Sequence, residues 1–270
     1  MDTLGFLGAG WMGGALLCGL QKQKIGVSCC YYDISARRCE ELETITHLSA
    51  ENSIEDVMKK ADAAVISVKP QVYPAVADTV AAHYREGQIL LSIMAGITLE
   101  TLAAKLPPSA KVIRLMPNMA MSVGAGVCLM SANENVTEEE KQRVKEIFSA
   151  FGLVKEIPEH QMDAGTALSG SGPAFFYSMI DAMMLGGVQA GFTRDDAMEL
   201  AVWAMKGAAE LLLESGESAS SLRDQMMSAG GTTVEGVCVL EKGSFRGDVI
   251  DAVAASCRRS KELSEGGKKK

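Results

Sequence analysis

The 270-residue sequence predicts an α/β protein, with a doubly wound, mostly parallel sheet first and an all-helical part after it. Three observations carry this reading. Short apolar runs alternate with helical patterns as far as residue 157. A Gly-x-Gly-x-x-Gly stands at the first strand-to-helix turn. Beyond Pro158 the strand-like runs stop and long helical segments take over. The chain therefore divides into residues 1–160 and 161–270.

The elements follow in order. Leu4–Leu7 is a short buried strand, and a helix is expected over Trp11–Gln21. Val27–Tyr32 is the second strand, with a helical stretch at Ala36–Leu42. Ala63–Val68, Gln88–Ile93 and Lys111–Met116 are the next strands, and Val127–Met130 and Val154–Ile157 the later ones. Continuous apolar runs, rather than alternating ones, suit strands covered on both faces. In the second part helices are expected over Ala174–Gln189, Arg194–Ser215 and Val249–Glu262, with a short one at Ser218–Arg223. Thr193 supplies a hydroxyl cap ahead of Asp195 and Asp196, the charge order that a helix N-terminus favours. The apolar stretch Ala174–Phe192 is interrupted by Asp181 and Gln189, so it reads as a buried helix and not a membrane span. Helices with such wide apolar faces commonly complete their core against a second copy. A homodimer is expected, with a higher assembly of dimers left open.

Composition narrows the function. Hydrophobic residues at 47% and charged residues at 22% suit a globular chain and exclude a disordered or fibrous one. A net charge of −8 disfavours nucleic acid as a partner. The basic run Lys268-Lys269-Lys270 reads as a solvated end. The seven cysteines are irregularly spaced and contain no Cys-x-x-Cys. They read as free thiols of a reducing compartment, not as a zinc site or disulfide framework. No leader-like segment precedes the first strand, so the expected location is the cytoplasm. His47, His83 and His160 lack ligand-spaced neighbours and read as surface or packing residues, so no metal is expected.

Gly8-Ala9-Gly10-Trp11-Met12-Gly13 has the context that a dinucleotide loop requires, a strand before it and a helix after it. Its glycines permit a tight turn, a close approach to a pyrophosphate and close helix–strand packing. Asp33 ends the second strand about 20 residues past Gly13, where a carboxylate takes the ribose hydroxyls of NAD. Ser35, Arg37 and Arg38 follow, and an arginine there can hold the extra phosphate of NADP or simply be solvated. Both NADPH and NADH stay open.

The helical part is informative by what it lacks. No His follows residue 160 and no Asn follows Asn135, while Lys206, Lys242 and Lys261 have no Asn partner. A dehydrogenase acting on an alcohol needs a base for the hydroxyl proton. Reduction of a C=N bond does not, because a protonated imine already carries its proton. Two hydroxyl- and glycine-rich clusters, Ser169–Pro173 and Ser228–Thr233, precede helices; each is either a carboxylate pocket or a capped loop.

Taken together, the motifs resemble the Δ1-pyrroline-5-carboxylate reductase family over nearly the whole chain. The resemblance rests on the glycine loop, Ser67-Val68-Lys69-Pro70, Arg114-Leu115-Met116-Pro117-Asn118, Leu168–Ala174, Ala229–Glu235, Val239-Leu240-Glu241 and Gly243-Ser244-Phe245-Arg246. It implies a Rossmann-type domain, a helical dimerisation domain, and NAD(P)H-dependent reduction of a small imino acid to L-proline. It implies that Gly8, Gly10, Trp11, Met12 and Gly13 form the pyrophosphate loop and that Asn52 lies near the adenosine. Val68, Lys69 and Pro70 would line the cofactor cleft, Ala95 and Gly96 would approach the nicotinamide, and Asn118 would sit by nicotinamide and substrate. Ser228, Gly230, Gly231, Thr232 and Thr233 would hold the substrate carboxylate, with the Thr233 hydroxyl near the imine nitrogen, and would come from the partner subunit. The chain departs from the family pattern at Met119-Ala120-Met121, where Thr-Pro-Ala is usual, at Ala229 in place of Pro, at Ser218-Ala219 in place of His-Pro, and at Trp11, where Asn is frequent.

Overall fold

The computed structural model describes residues 1–23 and 25–266; the lysine run 268–270 lies outside the described residues. The N-terminal part runs β1 (Thr3–Leu7), α1 (Trp11–Gln23), β2 (Ser28–Tyr32), α2 (Ala36–Thr46), α3 (Ile54–Lys60), β3 (Ala63–Ile66), α4 (Tyr73–His83), β4 (Ile89–Ser92) and α5 (Leu99–Ala103). It continues through β5 (Lys111–Pro117), a 3₁₀ turn (Met119–Val123), β6 (Gly126–Ala132), α6 (Glu138–Ser149) and β7 (Gly152–Glu156). The helix starts are written locally. Ser35, Ser53, Thr98 and Thr137 each accept, through the side-chain oxygen, an N–H of the first turn that has no acceptor within its helix. Thr137 and Glu140 complete a reciprocal capping box at α6.

The strands form a seven-stranded sheet in the order β2-β1-β3-β4-β5-β6-β7. Every neighbouring pair is parallel except β5 and β6, where Leu115 faces Met130 in antiparallel register. The physical reason is the connection. A parallel return needs a crossover of a dozen or more residues, and the short turn after β5 cannot supply one. Alternate residues of the sheet feed two cores. Phe6, Val65, Leu91 and Leu115 pack with Leu16 and Leu17 of α1 and Ile147 and Phe148 of α6. Leu7, Ala64, Ile66 and Leu90 pack with Val57 and Met58 of α3 and Val80 of α4. Both faces are covered, as the continuous apolar strands require.

After β7 the described residues contain no further strand. A 3₁₀ turn (Glu159–Gln161), α7 (Met162–Gly165) and a π-helical turn (Thr166–Ser171) lead into α8 (Gly172–Gln189). There follow α9 (Arg194–Ser215), α10 (Ala219–Gln225), α11 (Thr232–Lys242) and α12 (Phe245–Gly266). Contacts divide the chain into one unit of residues 1–170 with 256 onward, and a second of 171–255. The observed division thus falls later than residue 160, and the last turns of α12 belong to the first unit.

Within the second unit α8 packs on α9, with Gly187 so close that an added Cβ would lie 2.8 Å from the Ala197 Cβ. The expectation that Ala174–Phe192 is buried does not hold in the single chain. Only Gly172 and Met184 of α8 are buried, while Phe176, Tyr177 and Leu185 are exposed. Trp203, Leu213, Val239 and Ile250 on the other helices of this unit are exposed too. One chain therefore leaves a large apolar surface uncovered, which is characteristic of an interaction face. No helix among the described residues is long and apolar enough to cross a membrane.

Candidate active site

The glycine loop sits where strand order reverses. From β1 the chain moves to β2 on one side, then crosses back to β3 on the other, so the carboxyl ends of β1 and β3 open a crevice between them. Gly8 adopts φ +89°, a left-handed conformation that costs glycine nothing, and a Cβ there would meet Val68 at 3.0 Å and the Ser67 carbonyl at 3.2 Å. Gly13 is packed as closely: its Cβ would lie 2.7 Å from Ser67 Oγ and 2.9 Å from the Gly8 oxygen. At Gly10, by contrast, no heavy atom lies within 4 Å of a built Cβ. The first-turn N–H groups of α1, at Trp11, Met12 and Gly13, have no intrahelical acceptor, and that turn carries no acidic residue. A tight loop, open space at its middle glycine and an uncapped, uncharged helix start together fit a dinucleotide pyrophosphate.

Ser67, at the carboxyl end of β3, ties the two sides of the crevice. Its N–H donates to the Leu7 carbonyl at 2.9 Å, and its hydroxyl donates to the Gly8 carbonyl. Beside it Val68 and Pro70 are half-buried and Lys69 is exposed. Asp33 does more than end β2. Its Oδ2 accepts from the Ala9 N–H at 2.7 Å and its Oδ1 from the Ser35 N–H at 2.9 Å. Arg38 departs from both roles weighed for it, phosphate holder or solvated side chain. Its Nε donates to the Ala9 carbonyl at 2.8 Å and its Nη2 to the Gly10 carbonyl at 3.4 Å, while Nη1 pairs with Glu41. Asp33 and Arg38 thus hold Ala9 by its N–H and its carbonyl. Arg37 is the arginine left at the surface, 89% exposed and paired with Glu41. Asn52 is exposed, and the Glu51 N–H before it donates to the Tyr31 carbonyl, which keeps Asn52 at the end of β2.

At the other end of the crevice, Ala95 is exposed after β4 and Gly96 turns the chain at φ +75°. Asn118 is buried, and its amide is engaged. Nδ2 donates to the Ser169 carbonyl at 2.9 Å and Oδ1 accepts from the Val127 N–H at 3.1 Å. Both ends of the amide are thus engaged by backbone groups of the chain. Ser169–Pro173 is neither a pocket loop nor a capped loop. It is a π-helical turn running into α8, with the Ser169 hydroxyl donating back to the Gly165 carbonyl.

In the second unit, Ser228–Gly231 makes a tight turn before α11. The Gly231 N–H donates to the Ser228 carbonyl at 3.0 Å, Gly230 adopts φ +67°, and no side chain caps the helix start. Thr232 and Thr233 are exposed in the first turn, so hydroxyls and unclaimed N–H groups face outward together. The cysteines are free, and burial pushes the thiols of Cys29 and Cys30 up to about 11 and that of Cys128 up to about 12, which keeps them protonated. His83 Nδ1 lies 2.9 Å from the Thr79 carbonyl, and His47 closes α2 in a left-handed cap.

Comparison with known proteins bears on this arrangement directly. A family model described as pyrroline-5-carboxylate reductase dimerisation matches residues 159–263, and one described as NADP oxidoreductase, coenzyme F420-dependent, matches residues 3–96. The chain is 38% identical over 264 residues to the pyrroline-5-carboxylate reductase of Synechocystis sp., covering 97% of this chain and 98% of the relative. The chain belongs to the pyrroline-5-carboxylate reductase family. The family member from Methanosarcina acetivorans is 36% identical, covering 98% of each chain. The solved pyrroline-5-carboxylate reductase of Coxiella burnetii superposes with a TM-score of 0.90 at 30% identity, covering 97% of this chain and 98% of its own. The Plasmodium falciparum pyrroline carboxylate reductase, solved with NADP bound, gives 0.86 at 32% identity with the same coverage. Two departures of this chain from the family pattern, Trp11 and Met119, are exposed at 85% and 60%, and both lie on the first unit.

Proposed function

We propose that this protein reduces Δ1-pyrroline-5-carboxylate to L-proline with NAD(P)H, working as a homodimer in the cytoplasm. The observation that carries the reading is the match along 97% of the chain to a reductase of that name, joined to a glycine loop shaped for a pyrophosphate. A bound NAD(P)H supplies the hydride. The chain's own residues do the rest. The N–H groups of Trp11, Met12 and Gly13 hold the pyrophosphate, with Gly8 and Gly10 admitting it. Asp33 and Asn52 serve the adenosine end, Val68, Lys69 and Pro70 line the cleft, and Ala95, Gly96 and Asn118 bound the nicotinamide side.

The Ser228–Gly231 turn and the start of α11 hold the substrate carboxylate, through Ser228, Gly230, Gly231 and Thr232. The Thr233 hydroxyl then orients the imine nitrogen. In the product the former imine carbon carries the delivered hydride, and the nitrogen keeps the proton it brought, so no general base is called for. A second copy of the chain covers the exposed apolar helices of the second unit and supplies the carboxylate-holding turn to its partner's cofactor.

The test is direct. Purified protein is mixed with the imine and with NADH or NADPH in parallel, and loss of the reduced-nicotinamide absorbance is followed. Turnover with at least one cofactor is expected; none with either sinks the proposal.

A further inference from the structure

Two carboxylates on one short segment bear on the loop between β4 and α5, Glu159 directly and Asp163 through α12. Glu159 Oε1 accepts from the Leu99 N–H at 2.7 Å, at the loop's exit, and from Arg114 Nη1 of β5 at 3.2 Å. Arg114 is buried, its Nε has no hydrogen-bond partner among the described residues, and its Nη1 bonds to Glu159. Asp163 Oδ1 accepts from Ser260 Oγ at 2.6 Å; the Ser264 Oγ, one turn on near the end of α12, lies 3.3 Å from it and shares its hydrogen with the Ser260 carbonyl at 3.1 Å. That turn packs on the same loop: a Cβ built on Gly96 would lie 3.5 Å from the Leu263 carbonyl carbon and from the Ser264 nitrogen. Glu159 therefore fixes where the loop ends, and Asp163, through α12, fixes the helix that backs Gly96.

We propose that Glu159 and Asp163 are positioning residues for the hydride transfer, setting the nicotinamide-side wall by fixing the Ala95–Gly96 loop. The inference rests on the cofactor reading above, which puts the nicotinamide at that loop. Neither carboxylate needs to touch cofactor or substrate. Each acts by denying the loop a displacement, and a displacement of about 1 Å at a reacting group can cost about a hundredfold in rate.

The experiment compares wild type, Asp163→Ala, the Ser260→Ala/Ser264→Ala double variant and Asp163→Asn. Three readouts are taken: kcat with the imine, affinity for NADPH or NADH, and affinity for ADP-ribose, which has the adenylate half without the nicotinamide. The expected result is a kcat lowered about tenfold in Asp163→Ala and in the double variant. ADP-ribose affinity stays within about twofold, and Asp163→Asn, which keeps an acceptor for the serine hydroxyls, recovers most of kcat. Glu159→Gln should likewise outperform Glu159→Ala. If Asp163→Ala does not fold, the double variant, which removes only two hydroxyls, carries the same expectation. Unchanged kcat in the alanine variants overturns the proposal while leaving the cofactor reading intact. A parallel fall of ADP-ribose affinity overturns it too, since that marks general loosening. A wild type that binds neither reduced cofactor overturns the cofactor reading and this inference with it.

Discussion

Replacing Asp33 by Asn separates two jobs that one carboxylate holds. The first is structural: Asp33 accepts the Ala9 N–H at 2.7 Å and the Ser35 N–H at 2.9 Å, one through each oxygen. Asn offers a single acceptor oxygen, so one of these amides loses its partner. The net loss is about 1 kcal/mol, or about fivefold in affinity, and it falls on both cofactors alike. The second job is electrostatic. A carboxylate repels the 2′-phosphate of NADPH, and unit charges about 4 Å apart interact by about 1 kcal/mol even in water. Removing the charge should therefore move the ratio of kcat/KM for NADPH over NADH about fivefold toward NADPH. Steady-state rates with both cofactors, at fixed imine, read the two effects separately. The ratio reports the charge, and the common fall reports the loop. A ratio unchanged within about twofold would refute the placement of Asp33 at the ribose, whatever happened to the absolute rates.

The remaining predictions test the loop, the substrate turn and the surface charge. Gly10→Ala should leave the melting temperature unaltered, because its Cβ meets no atom within 4 Å, yet it should weaken NAD(P)H binding in a fluorescence titration. Gly13→Ala should weaken binding and also lower the melting temperature, costing about 1–3 kcal/mol of stability through the crowding at Ser67 Oγ; equal melting for the two variants would contradict the packing argument. Thr233→Ala should lower kcat about tenfold with cofactor affinity held, and a collapse of cofactor affinity would move Thr233 out of the substrate turn. Glu156 is held below the usual carboxylate range by hydrogen bonds from Lys145 and then Lys141, against an opposing desolvation. A carboxyl depressed on folding stabilises fully above its unfolded value of about 4.3 and loses that as pH falls through the folded one. Melting curves of wild type and Glu156→Gln, taken from neutral to acid pH, should therefore converge at the acid end; a gap independent of pH would argue against the bridge.

The parts of this fold that could be read early are those whose signals are local. β1, β3 and β4 announce themselves because a strand covered on both faces is a continuous apolar run. α9 begins and ends where expected because Thr193 caps it and Gly216 closes it in a left-handed conformation. The glycine loop carries its own geometry. What escaped has either too weak a pattern or a non-local cause. α3 buries only Val57 and Met58 in seven residues, too little periodicity to register. The antiparallel turn of β6 depends on a connection length, not on a residue pattern. From α2, Arg38 reaches the Ala9 carbonyl in the turn from β1 to α1, and no spacing rule foretells a side chain choosing backbone over solvent. α8 looked buried because its composition is that of a core helix, but its covering surface is not within the same chain.

The division of the chain also sets an order in time. The first unit is not finished when the ribosome has made its sheet. Residues 171–255 come next, and only then do Ser260, Leu263 and Ser264 arrive to lie behind Gly96 and bond to Asp163. Synthesis runs from the N-terminus at about 5–20 residues per second, so the Gly96 turn waits on the order of 10–30 seconds for the helix that backs it. On the proposed cofactor placement, the nascent sheet would in that interval hold an adenylate before it could hold a nicotinamide in register. On that reading competence for chemistry arrives with α12, whose own Ile250 is part of the apolar surface that calls for a second copy.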